Sequence, residues 1–103
     1  MDLNKNNFKN TLKNNKVVLV DFWAEWCGSC RMLTPTIELL EQEYKDKAVI
    51  GKINTEQEQE LAREFGIRSI PTVIIFKEGV EMERIGGASS KSTYSDKINY
   101  YLN

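Results

Sequence analysis

Along the 103-residue chain the spacing of apolar residues switches repeatedly between helix and strand periods, and each switch marks an element. Phe8 and Leu12, four apart in an asparagine-rich opening, predict a short helix. Lys16 to Trp23 is an almost unbroken β-branched run, apolar at odd and even positions alike, which predicts a strand covered on both faces. Leu33, Ile37, Leu40 and Tyr44 then fall at steps of four, three and four, so Cys30 to Tyr44 reads as a helix with one inward stripe. Pro35 lies inside it and is expected to kink it, because the bond to Arg31 is lost. Ala48 to Asn54 reads as a strand, and Glu56 to Phe65 as a helix with acids in its first turn and Gly66 as its stop. Thr72 to Lys77 and Val80 to Ile85 flank a Glu78-Gly79 turn as an antiparallel pair. Beyond Gly86-Gly87 a serine-capped helix carries Tyr94, Ile98, Tyr101 and Leu102 on one side.

That order contains a βαβ unit, which forces a right-handed crossover and a parallel strand pair, followed by a ββα hairpin and helix. The fold class expected is α/β, a mixed central sheet with helices on both faces. No strand signal precedes Phe8, so a first edge strand is confined to about Met1–Leu3. There is no repeat, no low-complexity tract and no linker, so residues 1–103 are expected to form a single domain.

Composition removes several function classes. Lysine and arginine number 14 against 15 acids, which leaves no basic footprint for nucleic acid or an anionic membrane. The chain has no histidine, so Ser–His and Cys–His nucleophile pairs and imidazole metal ligands are absent. Its two cysteines, Cys27 and Cys30, are too few for a four-thiolate zinc site. The opening residues lack the apolar core of an export signal and no run approaches a membrane span, so the expected location is cytoplasmic. Thiols are kept reduced there, and a close cysteine pair is expected to work rather than to staple.

The chemistry concentrates in Asp21-Phe22-Trp23-Ala24-Glu25-Trp26-Cys27-Gly28-Ser29-Cys30, which leaves a buried strand and enters a helix. Cys-x-x-Cys at such a junction is a redox arrangement. Cys27 at the helix start meets unpaired N–H groups and the positive end of the dipole, which favour the nucleophilic thiolate. Cys30, one turn in, can attack a mixed disulfide and release the reduced product. A structural staple over so short a loop gains only about 2 kcal/mol from loop closure, against about 4.7 kcal/mol for a 100-residue loop. Asp21 leaves two fates open on the residues alone. It is either a buried carboxyl whose raised pKa lets it exchange a proton with Cys30, or a strand-end acid reaching solvent beside Trp23.

The segments Val20–Met32, Pro35, Gly66–Thr72, Phe76–Gly79 and Gly87-Ala88, spread over nearly the whole chain, resemble the thioredoxin family. The resemblance implies a thioredoxin fold, a mixed four- to five-stranded sheet flanked by four helices. It also implies protein-disulfide reduction through a Cys27 mixed disulfide resolved by Cys30. It implies no bound cofactor and a redox-active disulfide, Cys27–Cys30, that draws electrons from NADPH through a thioredoxin reductase. The partners it implies are that reductase and disulfide-containing substrate proteins, and the chain itself is expected to be a monomer. Asp21 matches the family's buried aspartate and Lys52 a lysine near it, both for proton exchange, while Lys52 alone reads equally as an exposed strand-end lysine. Pro71 matches a cis-proline facing the cysteines, with the Ile70 backbone left to pair with an extended substrate. Trp26, Gly28, Ile70, Pro71 and Gly87 are expected to form a shallow apolar rim, while Trp23 packs.

Gly28 and Ser29, between the cysteines, are expected to tune the redox pair. Ser29 stands where the family usually has proline, which restores an N–H and loosens the helix start, so a less strongly reducing pair is expected. Gly86 stands where members often carry a bulkier rim residue, leaving substrate breadth open. The acids Glu56, Glu58 and Glu60, and Glu78, Glu81 and Glu83, read as solvated faces. Two rivals run on the same residues: an oxidase or isomerase working toward disulfide formation, and a binding module whose cysteines are idle. A glutathione-binding glutaredoxin is disfavoured by Trp26-Cys27-Gly28-Ser29-Cys30 and by Gly66–Thr72.

Overall fold

A computed structural model describes the whole chain, Met1–Asn103. The elements run α1 (Phe8–Asn14), β1 (Val17–Trp23), α2 (Gly28–Glu43), β2 (Val49–Asn54), α3 (Gln59–Glu64), β3 (Thr72–Lys77), β4 (Val80–Gly86) and α4 (Lys91–Leu102). The strands form one sheet in the order β2-β1-β3-β4. β1 is parallel to β2 and antiparallel to β3, and β3 is antiparallel to β4.

β1 is central because its sequence has no polar side. The two-residue period sends Val17 and Leu19 to one face and Val18, Val20 and Phe22 to the other, and all five are buried. On the first face they meet Leu33, Ile37 and Leu40 of α2 and Tyr94, Ile98 and Tyr101 of α4. On the second they meet Phe8 of α1, Leu61 of α3, and Ile53, Ile74 and Phe76. Phe65 closes this second layer edge-on, 5.5 Å from Phe8 and 5.6 Å from Phe76 between ring centroids. Each fully buried Leu, Ile or Phe adds roughly 1.5–3 kcal/mol, so two such layers clamp β1 firmly.

Three details refine or depart from the sequence reading, each for a local reason. α3 starts at Gln59 rather than Glu56, because Asn54 captures the chain first. Its Oδ1 accepts the Glu56 and Gln57 N–H groups at 2.9 and 3.3 Å, and its carbonyl accepts the Glu58 N–H at 2.9 Å. The first edge strand is reduced to one parallel bridge, Asp2 to Lys52, so the sheet has four strands. Leu3 N–H donates to the Lys52 carbonyl and Lys52 N–H to the Met1 carbonyl, both at 2.8 Å. Gly51 makes this docking fit, since a Cβ there would stand 2.5 Å from Leu3 Cδ1. Glu83 is half-buried rather than on a solvated face, with Lys97 Nζ at 2.6 Å on one oxygen and the Tyr101 hydroxyl at 2.9 Å on the other. The Lys97 bond holds its pKa below the usual carboxylate range. α2 runs through Pro35 without a break.

Candidate active site

Three strands and one helix end deliver the site. β1 ends at Trp23, and the short loop Ala24-Glu25-Trp26 turns the chain, with Cys27 N–H donating to the Ala24 carbonyl at 3.2 Å. The Arg31 guanidinium braces that loop from below, donating to the Glu25 carbonyl at 2.6 Å. Cys27 has extended backbone angles and is the N-cap of α2. Its Sγ accepts the Cys30 N–H at 3.2 Å, so a group that ordinarily caps with oxygen is here a sulfur. The same bond lowers the energy of a thiolate at Cys27 in the reduced state. The two sulfurs are joined as a disulfide.

Several of the residues named for the rim are exposed or lie near Cys27. Gly28 and Ser29 are exposed, Trp26 is 68% exposed, and Ser29 Oγ lies 3.5 Å from Cys27 Sγ. The Ile70 carbonyl oxygen lies 3.9 Å from that sulfur, and the Ile70-Pro71 bond is cis. Gly87 N–H donates to the Pro71 carbonyl at 2.8 Å, which brings the turn after β4 against the start of β3. Gly87 holds φ +78°, a conformation that L side chains rarely adopt, and this leaves the rim low. Cys30 is only 1% exposed, against 5% for Cys27, so one sulfur faces the rim and the other lies beneath it.

Asp21 follows Val17 and Leu19 on their face of β1 and is 1% exposed. Its Oδ1 has no hydrogen-bond partner. Burial raises its pKa from 3.8 to about 7, against a smaller opposite pull from the positive charge of Lys52. Lys52 is Asp21's register partner on β2, and its Nζ lies 4.5 Å over the Trp23 ring. The solvent-reaching alternative for Asp21 is thereby excluded, and Lys52 is half-buried beside it rather than free at a strand end. Sequence reasoning passed over Arg31, although an arginine directly after the second cysteine was there to be weighed.

A thiolate-stabilising cap, a second sulfur below it and a carboxyl titrating near neutrality form a dithiol exchange centre. A sequence model of the thioredoxin family matches residues 1–100. The chain belongs to the thioredoxin family. It is 46% identical over 102 residues to the M-type chloroplastic thioredoxin of Chlamydomonas reinhardtii, covering 98% of this chain and 73% of that one. It is 46% identical over 91 residues to the thioredoxin of Pyropia yezoensis, covering 88% and 85%. A mutant thioredoxin from Halobacterium salinarum superposes with a TM-score of 0.92 at 32% identity, covering all of this chain and 90% of that one. This thioredoxin-family chain is a thiol–disulfide oxidoreductase, an enzyme of the protein-disulfide reductase type. The family works through its own cysteine pair, and no group of three or more Cys, Asp or Glu is arranged here to hold a metal. No helix is long and apolar enough to cross a membrane.

Proposed function

We propose that the chain works as a monomeric electron carrier that reduces disulfides in other proteins and is itself re-reduced by a thioredoxin reductase with electrons from NADPH. An extended substrate segment lies along Ile70 and Pro71, flanked by Trp26, Gly28 and Gly87. The Cys27 thiolate attacks one substrate sulfur, forming a mixed disulfide and expelling the other substrate sulfur as a thiolate. Cys30 then passes its proton to the ionised carboxyl of Asp21 and attacks Cys27 Sγ, expelling the first substrate sulfur. Two electrons have moved to the substrate, and the Cys27–Cys30 disulfide is restored. Lys52 balances the charge on Asp21 between these steps, and Gly28 and Ser29 set how readily the pair gives up its electrons. A cytoplasmic location suits a close cysteine pair reserved for exchange.

The observation that carries this reading is the Cys30 N–H bond to Cys27 Sγ, which favours the thiolate, the attacking form, at the outer sulfur. The test is reduction of a protein disulfide with NADPH and thioredoxin reductase. Turnover is expected to vanish in Cys27→Ser, and Cys30→Ser is expected to accumulate a mixed disulfide with substrate. Turnover surviving in Cys27→Ser overturns the assignment.

A further inference from the structure

The layer between the sheet and helices α2 and α4 holds a phenol that the exchange above does not use. Tyr94 is fully buried and packs in the group that contains Val17, Leu19 and Leu33. Asp21 follows Val17 and Leu19 at the strand period, so its carboxyl enters that layer too. Cys30 precedes Leu33 and Ile37 on the buried side of α2 and reaches the layer from a third direction. The Tyr94 oxygen accepts the Ser89 N–H at 2.9 Å, and its own O–H has no protein acceptor. Asp21 Oδ1 has no donor. One buried donor and one buried acceptor, each unpartnered, therefore share a compartment. Burial pushes the phenol's pKa up and the negative charge of Asp21 adds to the rise, which puts the two groups within electrostatic reach.

We propose that Tyr94 is a positioning residue of the proton exchange, its phenol donating a hydrogen bond to the Asp21 carboxylate while Ser89 holds the phenol for that task. This rests on the reading of Asp21 as the proton acceptor. The bond belongs to the ionised carboxyl, the state that must exist before Cys30 can give up its proton. Tyr94 keeps its own proton throughout. The Ser89 N–H withdraws density from the phenol oxygen and so strengthens it as a donor. Ser89 stands two residues beyond Gly87, whose N–H binds the Pro71 carbonyl, so the phenol is tied to the rim on which substrate lies.

The groups facing Asp21 are few. Lys52 is its register partner on β2 and apolar Val73 its partner on β3, while Cys30 is on the buried side of α2 and Tyr94 on that of α4. Elsewhere on α4, Lys97 and Tyr101 are engaged with Glu83 of β4.

Tyr94→Phe keeps the ring and removes the donor. Titration of the Asp21 carboxyl in the oxidised protein, followed by carbon NMR, is expected to move up by about one pH unit, the size of a hydrogen bond to a charged group. The pH midpoint of mixed-disulfide resolution is expected to move by the same amount, and Asp21→Asn is expected to abolish the midpoint in either background. An unmoved carboxyl titration, or a loss of rate at every pH with the midpoint unchanged, overturns the proposal. If the Phe variant does not fold, Tyr94→Leu gives the same direction by the same readout. A resolution profile that Asp21→Asn alone leaves unchanged refutes Asp21 as acceptor instead, while the NMR titration still reports on the Tyr94 bond.

Discussion

Asp21 offers a quantitative test in which the sign runs opposite to the usual carboxylate. Its pKa is 3.8 in the unfolded chain and about 7 in the fold. Between these values the folded state holds a proton that the unfolded state has released, so stability falls as pH rises. The slope is about 1.4 kcal/mol per pH unit, and the whole difference of about 3 pH units corresponds to about 4 kcal/mol above pH 7. Below pH 3.8 both states are protonated and the penalty is absent. Replacing Asp21 with Asn removes the titration while keeping the shape. Guanidinium unfolding of the two oxidised proteins, followed by far-ultraviolet circular dichroism from pH 3.5 to pH 9, should give curves that diverge with pH. The Asn variant gains about 4 kcal/mol relative to the parent across that range, most of it between pH 4 and pH 7. Parallel curves would show that the carboxyl is ionised in the fold at ordinary acidity, and the proton exchange with Cys30 would lose its basis.

Two other perturbations test separate parts of the structure. Ser29→Pro removes both an N–H at the start of α2 and the hydroxyl 3.5 Å from Cys27 Sγ. Loss of one thiolate donor of about 1.4 kcal/mol lowers the reduction potential by about 30 mV, and equilibration with glutathione should find the Pro variant the stronger reductant. An equal or higher potential contradicts the role given to Ser29. Gly51→Ala drives a methyl group into Leu3 and should cost about 1–3 kcal/mol by thermal or denaturant unfolding. Pairing it with Leu3→Ala should cost less than the sum of the single changes, because both act on one contact.

Much of this was readable from the residues because the informative stretches were extreme. Lys16 to Trp23 has no polar side, so a central strand was the direct consequence of filling both faces, whereas the burial of Asp21 was indicated only by the family resemblance. Cys27 could be placed at a helix start because the apolar stripe of α2 begins one turn later. What stayed hidden depended on partners distant in sequence. Tyr94 looked like a stripe residue, since periodicity records where a side chain points and not which backbone N–H its oxygen will find. Glu83 looked solvated because Lys97 and Tyr101 lie one helix away. The start of α3 was lost to a competing residue, Asn54, whose side chain takes two N–H groups and whose carbonyl takes a third before the helix can. The meeting of Pro71 and Gly87 at Cys27 came into view only through family resemblance, since 15 intervening residues say nothing of a bond between them.

The sheet order has a consequence for how the molecule is made. β1 is the central strand yet lies in the first quarter of the chain, and its second neighbour, β3, begins only at Thr72. A polypeptide emerging from the ribosome amino end first therefore exposes both sulfurs while Ile70, Pro71 and Gly87 have yet to be joined. During that interval any passing oxidant or small disulfide can react with them. Discrimination among partners arises only when the last third of the chain has arrived and closed over the helix tip.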